Sequence, residues 1–240
     1  MIAPMRRATT LLALACATFP SSAVADSVSD LLAATSAAAR FPTPARADVK
    51  IERKRDDKAT AGAAVFLGRH HTLYVETRDG TRALIRPSKI LVRTKNGGVK
   101  RAASGTPLGA TDLLLEDLIP IGPGLFKVPQ MSDQGPTGTV LTGAPAFPSP
   151  RVLIVLTIDP DDDVLTRGKY YEKSISDLVA FRRDEEFTRI DDRPRPTRIT
   201  VDRSRDGTST KLDLTWRPAP DTPRDVFTPR GLRGASPIVW

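Results

Sequence analysis

The 240-residue sequence is poor in cysteine, histidine and aromatic residues: it has one cysteine and two histidines, and aromatic residues make up 5% of it. A single cysteine, Cys16, excludes a disulfide within the chain, so a conventional apolar core has to hold the fold. The chain is long enough to bury such a core in one domain. One cysteine and two histidines leave few sulfur or nitrogen ligands for a metal.

Recognisable catalytic and phosphate-binding motifs are also missing. There is no Gly-x-Ser-x-Gly element, and no lysine pattern of a phosphate loop surrounds the glycines near residue 123. His70 and His71 are adjacent, so on a strand they would point to opposite faces and could not easily share a metal. The aspartates at 161–163 lack the spacing of a calcium loop and favour a solvated turn. We expect no enzyme activity, cofactor or metal.

No apolar run after residue 25 approaches the roughly 20 residues of a membrane-spanning helix. The first 25 residues instead have the pattern of a secretory signal peptide. Arg6 and Arg7 provide its positive start, residues 9–19 a short apolar run, and residues 23–25 a small-x-small cleavage site. We expect a protein exported to the periplasm and beginning near Asp26.

A second interpretation of the amino terminus concerns Cys16. Leu14-Ala15-Cys16 loosely resembles a lipoprotein cleavage box, which would make Cys16 a lipid-anchored first residue. Ala13 stands where such boxes prefer a leucine-like residue, and the preceding apolar run is very short. The cleaved, unanchored protein is therefore the favoured interpretation.

The charge balance is mildly basic, with 36 lysines and arginines against 28 acids. The predicted cleavage would remove two of these basic residues and no acid. Charges of both signs are interspersed, which suits contact with anionic lipid head groups. No aromatic-studded basic patch or nucleic-acid reader motif is present, so we expect no nucleic-acid partner.

Local patterns predict one helix followed by many strands. Asp26 or Ser27 can cap the helix, and Phe41-Pro42-Thr43-Pro44 ends it. Alternating apolar residues then predict an antiparallel meander, with hairpin turns at 78–81 and 205–207.

The middle of the chain interrupts this pattern. Thr111 and Asp112 can cap a short helix over 113–118. The proline- and glycine-rich residues 120–150 that follow predict either a functional lid or a surface loop. Within the short helix, Glu116 and Asp117 are adjacent acids whose side chains should diverge, which favours capping and solvation over a general acid/base pair.

Two segments and their order along the chain carry a resemblance to a known family. The helix and meander are followed by Gly109-Ala110-Thr111-Asp112-Leu113-Leu114-Leu115-Glu116-Asp117-Leu118, and further strands lead to Phe227-Thr228-Pro229-Arg230-Gly231-Leu232. This order resembles the LolA-like outer-membrane lipoprotein-sorting protein family, in particular its less characterised periplasmic branch. The resemblance spans most of residues 27–233.

The resemblance implies an α+β, mainly β fold. Its sheet would be curved and antiparallel, an incomplete barrel with helices covering an apolar concave face. The expected division is a signal peptide at 1–25, a carrier domain at 26–233 and a tail at 234–240. The implied function is a periplasmic carrier or chaperone that holds acyl chains of lipoproteins or lipids for transfer toward the outer membrane. An inner-membrane exporter could supply the energy for loading.

The candidate cavity lining consists of apolar residues that alternate along the strands, although alternation does not decide which face looks inward. The candidates are Phe66, Leu73, Val75, Leu84, Ile154, Leu156, Leu212, Leu214 and Trp216. The candidates for the lid are Leu113, Leu114 and Leu118. For any single one of these residues, the alternative of an ordinary core residue is favoured.

Two other functions are open at this point. A structural or adaptor subunit of an envelope export complex would use the same sheet for protein contacts and hold no lipid. A secreted hydrolase would need an acid such as Glu116. An empty apolar interior would favour the carrier, whereas a packed one would favour the adaptor.

Overall fold

A computed structural model describes residues 27–56, 58–133 and 138–240. The predicted signal peptide, including Cys16, lies outside the described residues. No helix in the described part of the chain is long and apolar enough to cross a membrane.

The described chain folds into one antiparallel sheet with a few short helices, which confirms the mainly β prediction. The helices are α1 (Val28–Ala39), α2 (Pro229–Arg233) and two 3₁₀ helices (Leu115–Leu118 and Arg224–Phe227). The strands are β1 (Phe41–Arg55), β2 (Lys58–His70), β3 (Thr72–Thr77), β4 (Arg82–Arg86), β5 (Lys89–Arg93), β6 (Val99–Arg101), β7 (Gln130–Asp133), β8 (Thr139–Gly143), β9 (Arg151–Asp159), β10 (Val164–Glu172), β11 (Leu178–Ile190), β12 (Arg193–Arg203) and β13 (Thr208–Pro218).

The 13 strands run in the order β6-β5-β4-β3-β2-β1-β13-β12-β11-β10-β9-β8-β7. The first and last strands of the two meanders, β1 and β13, pair antiparallel at the centre, with Val49 opposite Leu214 and Ile51 opposite Leu212. Strands β6 and β7 are the two edges, so the sheet does not close. Phe66 on β2 and Ile154 on β9 nevertheless belong to one core cluster, which requires the sheet to curve around it.

Alternation along the strands decides which residues reach this concave side. On β3, Leu73 and Val75 join the concave core, whereas Tyr74 between them joins a second cluster on the convex side. Helix α1 covers the concave side with Leu31 and Leu32.

Ser27 begins α1, as expected for a cap. Its hydroxyl accepts a hydrogen bond from the backbone N–H of Asp30 at 3.1 Å. The predicted stop is also found, because the chain is already in strand β1 from Phe41.

The short helix predicted over 113–118 differs from the structure. Only Leu115–Leu118 is helical, in a 3₁₀ turn. The expected capping by Asp112 is wrong, because its carboxylate accepts hydrogen bonds from Arg53. The carboxylate of Asp117 instead accepts the N–H of Leu114, at 2.9 Å.

The convex side is covered where the sheet turns through β2, β3 and β4. Val226, Phe227 and Leu232 from the carboxy-terminal segment pack there against Tyr74 and Leu84. The hydrophobic effect thus fixes the carboxy-terminal segment, as far as Ile238, to the first meander.

The turn between these apolar residues requires glycine. A Cβ on Gly231 would lie 2.1 Å from the backbone oxygen of Asp225, closer than any real contact. Thr228 caps α2 by accepting the N–H of Gly231 at 3.1 Å. The Phe227–Leu232 segment therefore forms a compact turn that packs against the convex side of the sheet.

We expect Leu232→Ala to destabilise the protein by about 2–5 kcal/mol, because it opens a cavity at a side chain with no solvent exposure. Urea unfolding followed by circular dichroism measures the change. Arg233→Ala, at the exposed neighbouring position, should change stability by less than about 0.5 kcal/mol. Equal effects of the two substitutions would contradict the packing of this segment.

Candidate functional site

A cavity of about 180 Å³ lies between the concave face of the sheet and its cover. Residues 102–129 connect β6 to β7, which lie at opposite edges of the sheet, and we call them the crossing segment. The covering side of the cavity consists of Thr35 and Ala39 of α1 and of residues 119–121 of the crossing segment. Gly122 fits this segment closely against α1, since a Cβ there would come within 2.9 Å of Ser36. Helix and crossing segment therefore act together as one cover.

Most of the predicted lining residues meet at this cavity. Those that line it are Phe66, Leu73, Ile154, Leu156, Leu214 and Trp216. Val75 and Leu212 lie in the same concave core but do not reach the cavity surface. The concave core thus combines a packed part near Val75 and an empty part near Ile154.

Leu84 is placed differently and needs correction as a cavity candidate. It lies on the convex side with Phe227 and Leu232, whereas its neighbours Ala83 and Ile85 face the concave core. Strand β4 is apolar on both faces because the carboxy-terminal segment covers its outer face. A pattern without alternating polarity could not show which residue points inward.

Two of the three predicted lid residues are fixed parts of the core rather than cavity walls. Leu113 is fully buried, and its carbonyl accepts the N–H of Leu108 at 2.8 Å. Leu114 forms an isolated antiparallel bridge with Pro107. Leu118 does line the cavity.

A buried cluster of charged residues forms one wall of the cavity. Asp117 of the 3₁₀ helix pairs with Arg151 at the start of β9, through both carboxylate oxygens. Arg182 and Asp184, two residues apart on β11, form a second two-point pair at 2.6 and 2.7 Å. The guanidinium of Arg151 also lies 3.7 Å from the ring centre of Tyr170.

The two pairs are joined through the backbone, because Arg182 donates to the carbonyl oxygen of Asp117. Burial opposes the charge of Arg182, but the carboxylate of Asp184 outweighs it and raises the pKa of Arg182. Burial also raises the pKa of Asp184 and lowers the pKa of Arg151, so each charge of the cluster depends on its partner. The hydrogen bonds of the cluster hold the crossing segment on β9 and β11.

Glu116 is also buried, which makes the expectation of a solvated acid wrong. Its carboxylate accepts the N–H of Gly105 at 3.2 Å and the hydroxyl of Ser149. The sequence did contain one indication of this burial, since Glu116 and Asp117 stand in an otherwise apolar run from Leu113 to Ile121. Acids in such a run have to be buried with partners.

Comparison with known proteins depends on structure here, because no family model and no curated protein matches the sequence. A candidate outer membrane lipoprotein-sorting protein domain from Vibrio parahaemolyticus superposes with a TM-score of 0.71, at 14% identity, over 85% of this chain and 97% of that one. A LolA superfamily protein from Nitrosomonas europaea gives 0.63 at 19% identity, over 82% and 96%. The chain has the LolA fold.

A DUF1329 family protein from Desulfovibrio piger has the same fold, with a TM-score of 0.66 at 18% identity over 85% of this chain and 96% of that one. These values confirm the resemblance found in the sequence at the level of the fold. At 14–19% identity the likeness is one of overall fold.

A second ion pair, at Asp112, also holds the crossing segment to the LolA-like sheet. Arg53 of β1 donates to both oxygens of Asp112, at 3.1 and 3.0 Å, and Thr210 of β13 donates at 2.9 Å. Burial alone would raise the pKa of Asp112, but these hydrogen bonds outweigh it and hold the pKa below its ordinary value.

Asp117→Asn should cost about 3–5 kcal/mol of stability, because it leaves the charge of Arg151 buried without a counter-ion. The matched control is Asp202→Asn, which breaks the half-exposed pair with Arg183 and should cost less than about 1 kcal/mol. Chemical unfolding at neutral pH measures both. A smaller loss for Asp117→Asn than for the control would show that the buried pair does not hold the crossing segment.

The lowered pKa of Asp112 predicts a pH dependence. Its charge should stabilise the fold above the unfolded pKa of about 3.9, and this contribution should disappear as the pH falls through the lower folded value. Asp112→Asn should therefore be less stable than the parent at pH 6, with a difference that narrows toward pH 3. Urea unfolding across this range measures it, with exposed Asp221→Asn as control. A pH-independent difference would exclude this role of the charge.

Proposed function

We propose that this protein is a carrier that holds an acyl chain of a lipoprotein or lipid in its concave cavity. The observation that carries the proposal is the cavity itself, which Phe66, Ile154 and Leu156 line without filling. A sheet evolved only for protein contacts has no need of unfilled space in its core, since empty cavities lower stability.

The energetics of such a cavity suit a carrier in water between two membranes. Burying one methylene contributes about 0.8 kcal/mol, so a chain of about 15 carbons gains on the order of 10 kcal/mol. A bilayer offers a similar gain, which keeps transfer between carrier and membrane near balance. Net delivery then needs an energised partner, and an inner-membrane exporter is our candidate.

Similarity of fold supports the same function. The Vibrio parahaemolyticus domain is described as a candidate outer membrane lipoprotein-sorting protein, and the Nitrosomonas europaea protein as a member of the LolA superfamily. We extend lipid carriage, and with it a periplasmic location, to this chain as part of the proposal.

Three of the four acids that line the cavity support a carrier over a hydrolase. Asp117 and Asp184 are each held by an arginine at two points, and Glu116 by a backbone N–H and a serine. None of the three is poised to move a proton to a bound molecule. Their geometry fits a structural role in holding the cover.

The test is to purify the exported protein, extract it with organic solvent and identify any lipid by mass spectrometry. Binding of a neutral fluorescent probe, 1-N-phenylnaphthylamine, is then titrated before and after delipidation. We expect co-purified lipid or saturable binding. Absence of both would overturn the carrier and favour the adaptor subunit, which should instead co-purify with a membrane protein.

Leu156→Trp should weaken binding of the probe at least tenfold, because the larger ring fills the cavity from its wall. Val155→Trp provides the matched control, since Val155 is the adjacent residue of β9, is partly exposed and does not line the cavity. Fluorescence titration measures both affinities. Equal affinities of the two variants would place the binding site elsewhere.

A further inference from the structure

The cavity has two chemically different ends. One is the charged cluster, where the arginines Arg151 and Arg182 are matched by the carboxylates of Asp117 and Asp184. With Glu116 beside them, this end carries no excess of positive charge. An anionic ligand would therefore gain little electrostatic energy by binding at this end.

Arg195 lines the cavity at the other end, where β12 begins and α1 ends. Its side chain is 5% exposed and lies 4.1 Å from the ring centre of Phe41. All its hydrogen bonds go to backbone carbonyls, which include those of Ala38 and Arg40 at the end of α1. Its Nε is buried and has no partner among the described residues.

Arg195 is therefore a buried cation without a carboxylate partner in the described part of the chain. The carbonyls at the end of α1 offset its charge only partly, because they carry partial charges. Burial, with Arg193 adding repulsion, lowers the pKa of Arg195 to about 10, as expected for a charge without a counter-ion. The carboxylate of Asp191 acts in the opposite direction on the pKa of Arg195, but it makes no ion pair with Arg195 and instead accepts the backbone N–H of Thr43 at 3.1 Å.

A second nitrogen group lies at the same end. His71 lines the cavity, and its Nδ1 is buried without a partner among the described residues. Its neighbour His70 is paired with Phe41, the residue over which Arg195 stacks. Arg195, His71 and Phe41 thus all line the same cavity.

One acid, Asp163, also lines the cavity, from the turn between β9 and β10. Burial and the neighbouring carboxylates of Asp159 and Asp162 raise its pKa. Asp163 is thus the cavity acid that lies outside the charged cluster.

We propose that Arg195 binds the anionic head group of a single-chain amphiphile whose tail occupies the apolar cavity. Carboxylate and phosphate share the required chemistry, because each accepts charged hydrogen bonds from a guanidinium. The tail would lie along Leu73 and Leu156, away from the acids of the charged cluster. This inference rests on the proposed carrier function and adds the class of its ligand.

The test compares ligands with the same tail and different heads. Dodecanoic acid, dodecyl phosphate, dodecan-1-ol and dodecyltrimethylammonium compete with 1-N-phenylnaphthylamine for the wild-type protein at pH 8. We expect both anions to bind about tenfold or more tightly than the alcohol, as for hydrogen bonds to charged groups, and the cation to bind most weakly. Acetate and inorganic phosphate alone should not displace the probe, because they have no tail.

Arg195→Gln should reduce the preference for the acid over the alcohol toward one. Arg193→Gln, at an exposed position two residues away, should leave it unchanged. Arg195→Lys keeps a charge and should retain part of the preference. Such a result would show that the loss in Arg195→Gln comes from the missing charge and not from a loosened α1.

The failures are distinguishable. Equal binding of acid, alcohol and cation by the wild type would overturn the head-group site and leave the carrier function intact. Displacement by acetate or phosphate alone would replace it with a site for small anions. No binding of the probe or of any amphiphile would overturn both proposals.

Discussion

The pairing of β1 with β13 is the constraint on which the rest of the structure depends. Eleven residues of β1, from Ala45 to Arg55, stand opposite Pro218 to Thr208 in unbroken register. This pairing joins a meander from the first half of the chain to one from the second half, so that a single curved sheet results. Without it the concave face, the cavity and both of its ends would not exist.

The cover of the concave face combines two kinds of interaction with different roles. Burial of apolar residues of α1, such as Leu31 and Leu32, stabilises the cover, but it does not fix the position of the cover because the hydrophobic effect is non-directional. The buried pair of Asp117 and Arg151 has fixed geometry, and it decides where the crossing segment lies. The segment also packs Leu113 and Leu115 into the core, and the space for a ligand lies where this packing leaves a gap between the segment and the sheet.

Local sequence patterns predicted the strands and helices better than they predicted what packs against each of them. On a strand with alternating polarity, such as β13, alternation placed Leu212 and Leu214 on one face, and the structure shows that this face belongs to the concave core. Strand β4 could not be oriented, since both of its faces are apolar and the cover of its outer face lies more than 140 residues away, as the bond from Arg86 to Phe227 illustrates. Short-range patterns contain no information about such a cover.

The charged residues at the cavity illustrate the same limit. Arg151 lies 34 residues from Asp117, and the carbonyl that Arg182 binds is 65 residues away. No local spacing relates these residues, so the sequence could indicate only that the acids near Leu118 were unusual. Arg195 likewise became distinct from the other arginines of the chain only when its neighbours in space were known.

The open edges of the sheet bear on how such a protein behaves at high concentration. An unpaired strand can template association with a second copy of the chain. Edge strand β6 has only three residues, and two of them, Lys100 and Arg101, are exposed cations. The β6 edges of two molecules would repel one another and offer too few backbone groups to pair. The sheet can therefore stay open at this edge without promoting polymerisation.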